Sequence, residues 1–253
     1  MRRHFVHFLW GSLLAILGVI TVFFISVWNG WVGYMPNMDE LSNPIDKFAS
    51  QVYSSDQQLI GTWNADNNNR VAIDYNGLSP HLVHALVATE DERFYEHSGV
   101  DFIALGRAVV KRGVMGQASA GGGSTITQQL AKQLFSEKAH STVERLLQKP
   151  IEWIIAVKLE RHFTKEEILA MYFNYFDFLH NAVGIKRAAN VYFNKEPRKL
   201  TVTEAAMLVG LCKNPSMFNP LRYPERCKQR RNVVLMQMVK SGYVTKAEYD
   251  ELS

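Results

Sequence analysis

Cysteine is nearly absent, with two in 253 residues, Cys212 and Cys227. That excludes a disulfide framework and a thiolate metal cluster. Cys212 lies inside the apolar run EAAMLVGLCK and reads as a buried thiol, although an exported chain could still bridge the pair. The sequence has no internal repeat, and its only low-complexity patch is ASAGGGS at 118–124. Charge of one sign is scarce too: a net +4 fits contact with an anionic surface or a phosphorylated ligand. It falls far short of the basic density of a nucleic-acid reader, so no nucleic-acid partner is expected.

What is present begins with FLWGSLLAILGVITVFFISVW, Phe8 to Trp28, which contains no charged residue. At about 1.5 Å per residue such a helix crosses a bilayer. Arg2 and Arg3 are the only charges before it, which predicts a cytoplasmic N-terminus and an extracytoplasmic remainder. A cleaved signal peptide is the alternative; the run is longer than a signal core and no A-x-A-like site follows. Trp28 and Trp31 suit an interfacial aromatic belt.

Residues 29–49 mix turn formers without a period and read as a juxtamembrane linker. ASQVYSS, QLIGTW and RVAIDY look like short strands, with DNNN as a turn between the last two. From Ser79 the periodicity is helical almost to the end.

SPHLVHALVATEDERFYEH opens with Ser79 as N-cap and Pro80 at the first helical position. Its apolar stripe of Val83, Leu86 and Val87 continues into Glu90, then Phe94 and His97. A carboxylate held against apolar surface loses hydration in its charged form and becomes a better proton acceptor. Glu90 is therefore a candidate base, or else a core carboxylate satisfied by His97 or a backbone amide. Asp91 and Glu92 point elsewhere, toward solvent or a structural hydrogen bond.

In GGGSTITQQLAK, residues 121–132, Ile126, Leu130 and Leu134 line one helical face, and Thr125, Gln128, Gln129 and Lys132 gather on the other. Backbone amides, the helix dipole and the Lys132 ammonium can converge there on an anion, although the G-K-[ST] order of a P-loop is missing. A flexible loop before an amphipathic helix with a wet face accounts for the same residues. Farther on, Glu152 neighbours Ile155, Ala156 and Leu159, with Lys149 one turn and Arg145 two turns before it. Pro150 is expected to kink or restart that helix. Two carboxylates among cations suit sugar transfer, one activating the attacking hydroxyl and the other side stabilising the leaving group.

Taken in order, ATEDERFYEHSGVD, GGSTITQQLAKQLF, QKPIE, ILAMYFN and RAANVYFNK resemble the five motifs of the glycosyltransferase family 51 peptidoglycan polymerases. EWIIAVKLER and RRNVVLMQMVKSGYVTKAEYDEL resemble the glycosyltransferase half of a bifunctional class A penicillin-binding protein. The resemblance implies a mainly α, lysozyme-like domain with a short N-terminal β segment, preceded by one transmembrane helix. The segments would be 1–7 cytoplasmic, 8–28 membrane-spanning, 29–49 linker, 50–240 catalytic, and 241–253 the start of a linker to an absent C-terminal domain.

The activity implied is polymerisation of lipid II in the bacterial inner membrane, with undecaprenyl pyrophosphate leaving. Glu90 would be the general base on the acceptor 4-hydroxyl, and the anomeric centre would invert. Glu152 would orient the donor and leaving group, directly or through a divalent cation, magnesium or manganese. Substrate would be met by Asp91, Phe94 and His97, by Gly123, Ser124, Thr125, Gln128 and Gln129, and by the cations Lys132, Arg145 and Lys149. DFIALGRAVVKRGVM, 101–115, would form a jaw dipping into the bilayer, with Arg107, Lys111 and Arg112 at lipid phosphates; a plain surface helix is the alternative. Partners implied are lipid II, the growing glycan, the membrane and other cell-wall synthesis proteins.

Three departures stand out. Gln148 and Pro150 flank Lys149 where an arginine usually precedes that lysine, and Leu179 occupies a glycine position. They motivate a rival reading, a non-catalytic member that binds lipid II or scaffolds synthases. A lysozyme-like hydrolase is a second rival, disfavoured by the anchor and the cationic shell. No S-x-x-K, S-x-N or K-T-G set occurs, so no transpeptidase is expected in this chain, which reads as a fragment or truncated product.

Overall fold

The computed structural model describes residues 2–37, 40–41, 50–56, 59–63, 71–110, 123–135 and 142–253. The expected DNNN turn, Lys111, Arg112, Gly121 and Gly122 lie outside the described residues. The chain is mainly helical. Helix α1 (Arg2–Trp28) is followed by β1 (Ser50–Tyr53) and β2 (Leu59–Trp63), then by α2 (Pro80–Glu90) and α3 (Phe102–Val109). Next come α4 (Ile126–Phe135), α5 (Thr142–His162), α6 (Lys165–Tyr175) and α7 (Ile185–Phe193). The last three are α8 (Val202–Lys213), α9 (Pro224–Lys240) and α10 (Lys246–Leu252).

Helix α1 is long and apolar enough to cross a membrane. Its C-terminal end docks on α5: the Phe24 and Trp153 rings stack 6.5 Å apart, and Lys158 Nζ lies 5.0 Å from the Trp28 ring. Strands β1 and β2 pair antiparallel, Ser50 opposite Trp63. RVAIDY is not a third strand, for Val71–Asp74 join no ladder. The Asn174 side chain satisfies this backbone instead, accepting from Ile73 N at 3.2 Å and donating to Ile73 O at 2.8 Å.

The core has two helical groups that share one apolar interior. Helices α2, α8 and α9 pack mutually, while α4 packs on both α5 and α6. Leu82 and Leu86 of α2, Ile126 and Leu130 of α4, Ile155 and Leu159 of α5, Ile168 and Tyr172 of α6, and Val234 and Leu235 of α9 belong to one fully buried cluster. Caps fix where the helices start. Thr164, Thr201 and Thr245 each form a reciprocal box with the glutamate three residues on, which satisfies orphan amides of α6, α8 and α10.

Two helix expectations are corrected. The α2 pattern stops at Glu90, where Asp91 turns out of the helix at φ −158°, and Phe94–Glu96 form a 3₁₀ turn. Hydrogen bonding of the Asp91 carboxylate to distant groups overrides local periodicity there. Pro150 does not restart α5, which runs unbroken from Thr142 to His162. Helices α4 and α1 both pack against it.

Candidate active site

Glu90 sits at the C-terminal end of α2, where the two helical groups meet, and its carboxylate is gripped from both. Gln129 Nε2 of α4 donates to Oε2 at 3.0 Å, and Arg230 Nη2 of α9 lies 3.5 Å from Oε1. Tyr172 of α6 donates its hydroxyl to Gln129 Oε1 at 3.1 Å, so the amide can only turn its NH₂ toward Glu90. Burial pushes the Tyr172 phenol well above its ordinary value, and the Glu90 charge adds to that, keeping it a neutral donor. Burial and then the Glu90 charge push the Cys212 thiol up, so this free thiol is a neutral neighbour and no nucleophile. The Glu90 side chain keeps 15% of its surface open, enough for a reacting group to reach it.

Asp91 and His97 face inward rather than toward solvent. His97 Nε2 donates to Asp91 at 3.0 Å, and Ile126 N donates to Asp91 Oδ2 at 3.0 Å. Of the two partners foreseen for Glu90, His97 therefore serves Asp91. Phe94 is fully buried beside them, with Lys165 Nζ 4.2 Å from its ring. Lys165 also donates to His97 O at 2.7 Å and pairs with the buried Glu160, which takes the Thr127 hydroxyl at 2.6 Å.

The N-terminus of α4 does hold an anion, and it is the protein's own Asp91. The expected two-faced character of this helix is corrected accordingly: Thr125 and Gln128 are buried, because α4 lies between α5 and α6. Thr125 Oγ1 and Gln128 Nε2 both donate to Gly99 O, at 2.7 and 3.2 Å. Gly99 has φ +94°, and a Cβ there would stand 2.8 Å from the Ala156 backbone, so only glycine brings this carbonyl against α5. Lys132 is exposed, and Gln129 alone of the group reaches Glu90. At Gly123 a Cβ would lie 3.3 Å from Ala108 Cβ, which makes this glycine a close-approach point for α3.

Glu152 is 2% exposed among Ile155, Ala156 and Leu159, as its spacing implied. Lys149 Nζ pairs with Glu152 Oε2 at 2.6 Å and reaches Ser124 Oγ at 3.5 Å, linking α5 to the lip of α4. Arg145 lies one turn earlier on α5. The donor set does not fit a divalent cation, since Glu152 is taken by Lys149 and no three His, Cys, Asp or Glu side chains gather among the described residues.

Sequence reasoning missed Arg230 and the Glu160–Lys165 pair. No local spacing connects Tyr172, within ILAMYFN, or Arg230, within RRNVVLMQMVK, to Glu90. Leu179, the residue in the glycine position, has φ +66°, and His180 and Asn181 follow with φ +53° and +58°.

A family model described as transglycosylase matches residues 56–239. Penicillin-binding protein 1A of Aquifex aeolicus is 38% identical over 242 residues, covering 95% of this chain and 32% of that protein. Penicillin-binding protein 1A of Escherichia coli is 39% identical over 217 residues, covering 86% of this chain and 25% of that protein. The crystal structure of penicillin-binding protein 1A from Haemophilus influenzae aligns at a TM-score of 0.42 and 24% identity over 81% of this chain and 20% of that one, too low to bear on the fold. The chain thus spans no more than 32% of the length of the two curated relatives.

Proposed function

Since this chain belongs to the transglycosylase family, the peptidoglycan glycosyltransferases of family 51, we propose that it polymerises lipid II by inverting glycosyl transfer, releasing undecaprenyl pyrophosphate. The observation that carries the reading is the unequal state of the two glutamates. Glu90 is open and oriented by donors on both oxygens, while Glu152 is closed and paired with a cation.

Glu90 acts as general base, taking the proton of the acceptor 4-hydroxyl as that oxygen attacks the donor's anomeric carbon. Gln129 and Arg230 fix the carboxylate so that little reorganisation is needed at the moment of transfer. The departing pyrophosphate gathers negative charge, which preplaced cations stabilise. Glu152 serves this step through Lys149, holding the ammonium at the Ser124 lip; Lys132 and Arg145 are proposed as further cations for the same charge. Asp91, His97, Phe94, Thr125 and Gln128 shape the groove from beneath and leave direct substrate contact to Gln129, Ser124 and the cations.

In this reading α1 anchors the protein in the inner membrane, and Arg2 and Arg3 before it favour a cytoplasmic N-terminus with the domain, residues 50–240, outside. Phe102 and Ile103 of α3 project apolar side chains into solvent, which supports contact of this helix with the bilayer beside the groove.

The test is lipid II polymerisation by wild type and Glu90→Gln in detergent. The variant should lose at least about a hundredfold in rate. Near-normal polymerisation by it would overturn the assignment. Wild-type protein that binds lipid II yet makes no polymer would favour the scaffold reading.

A further inference from the structure

Arg230 makes an ion pair with Glu90 across 140 residues of chain. Its side chain is 14% exposed, and that of Glu90 15%. Two features hold it in place. At Gly210 of α8 a Cβ would come within 3.2 Å of Arg230 Cγ, so the missing side chain gives the stem its space. The guanidinium carbon lies 5.9 Å from the ring centroid of Phe218, in the loop after α8. Arg230 Nε is buried without a hydrogen-bond partner.

A guanidinium serving only to glue α9 to its neighbours would satisfy its buried donors, because an unmet one opposes folding. Here the Nε bond is forgone while Nη2 is aimed at Glu90. Gln129 takes the other oxygen, so the two donors approach from α4 and α9 and the carboxylate plane is set by both. Tyr172 of α6 and Cys212 of α8, both titratable groups that feel the Glu90 charge, are held neutral, while Arg230 is the cation that pairs with this carboxylate.

We propose that Arg230 is a positioning residue for glycosyl transfer, which with Gln129 locks the Glu90 carboxylate in its proton-accepting orientation. The proposal rests on Glu90 being the general base. A rigid planar fork suits this task and a flexible ammonium does not. Misplacement of a reacting group by about 1 Å costs on the order of a hundredfold.

The experiment measures kcat and KM for lipid II on the full chain in detergent, with Arg230→Gln, Arg230→Lys, Glu90→Gln and the double variant Glu90→Gln/Arg230→Gln. Arg230→Gln should lower kcat by about ten- to a hundredfold with KM within about twofold, and Arg230→Lys should recover only part of the loss. The double variant should be no more than about twofold slower than Glu90→Gln, because Arg230 acts only through Glu90. Losses that multiply would overturn the proposal, since they mark a role independent of Glu90. Normal kcat in Arg230→Gln beside an inactive Glu90→Gln would overturn it too while leaving the base in place. An active Glu90→Gln would sink the base assignment and this proposal with it. If Arg230→Gln fails to fold, Arg230→Lys alone carries the test, and wild-type kcat in that variant overturns the need for the fork.

Discussion

The Asp91 carboxylate receives His97 Nε2 on both of its oxygens, at 3.1 and 3.0 Å, with each side chain about 95% buried. The same carboxylate caps α4 through Ile126 N, so one side chain joins the end of α2, the 3₁₀ turn and α4. Asp91→Ala strands two buried donors, and each costs about 1–3 kcal/mol. The variant should lose about 2–6 kcal/mol of stability in chemical denaturation. Asp91→Asn keeps one acceptor and should lose roughly half as much. A loss in Asp91→Ala below about 0.5 kcal/mol would mean that this carboxylate does not hold the three segments together.

Lys149 and Glu152 form an asymmetric pair, the lysine 46% exposed and the glutamate 2%. Removing the lysine leaves a buried carboxylate unpaired, which is worse than removing both charges. Water reaches the pair from the lysine side, so the cost is discounted to about 1–3 kcal/mol for Lys149→Met. Lys149→Met/Glu152→Gln should recover most of that loss in thermal melts. A double variant less stable than Lys149→Met would show that Glu152 is held by something other than its lysine.

The parts of this molecule legible in sequence are those written in local period and capping. The apolar run of α1, the Ser79–Pro80 start of α2, and Glu152 set among Ile155, Ala156 and Leu159 all follow from the pattern within a single helix. What spacing could not give is long-range exchange of polar partners. Asp91 breaks a helix that its neighbours favour because Ile126, 35 residues away, offers an amide. Gln128 looked wet because glutamine usually is, yet its partner Gly99 O lies 29 residues back in a buried turn. Arg230 is 140 residues from Glu90, and one arginine among several on α9 carries no local mark of that contact.

His84 of α2 lies flat on Tyr243, ring centroids 4.2 Å apart and planes 9° from parallel. Burial, and then the His81 charge, lower its pKa below the ordinary 6.5. The folded state therefore binds the proton less readily than the unfolded chain. The stability this contributes is present above about pH 6.5 and is lost as the pH falls through the folded-state value. Melting temperature should consequently rise between pH 5 and 7, and His84→Phe, which keeps the ring stack, should flatten that rise. An unchanged slope in the variant would assign the pH dependence to other groups.

Leu179, His180 and Asn181 hold three consecutive left-handed backbone conformations, a region that costs a residue with a Cβ about 1–2 kcal/mol. The surrounding bonds over-determine the turn. Leu179 N donates to Asp177 Oδ1 and Ala182 N to Leu179 O, both at 2.8 Å, while the Tyr192 hydroxyl donates to Phe178 O at 2.7 Å. His180 is fixed as well, accepting from Asn219 Nδ2 at 3.0 Å. The leucine thus strains the turn without abolishing it, so this departure from the family's glycine bears on stability. Comparing Leu179→Gly with Leu179→Ala isolates the effect, because both remove the same half-buried side chain. At an ordinary helical position alanine is the more stable by about 0.5–1 kcal/mol. Here the order should reverse, with the glycine variant more stable by about 1 kcal/mol and melting roughly 2–4 °C higher. An alanine variant equal to or above the glycine variant would show that this backbone leaves the left-handed region in solution.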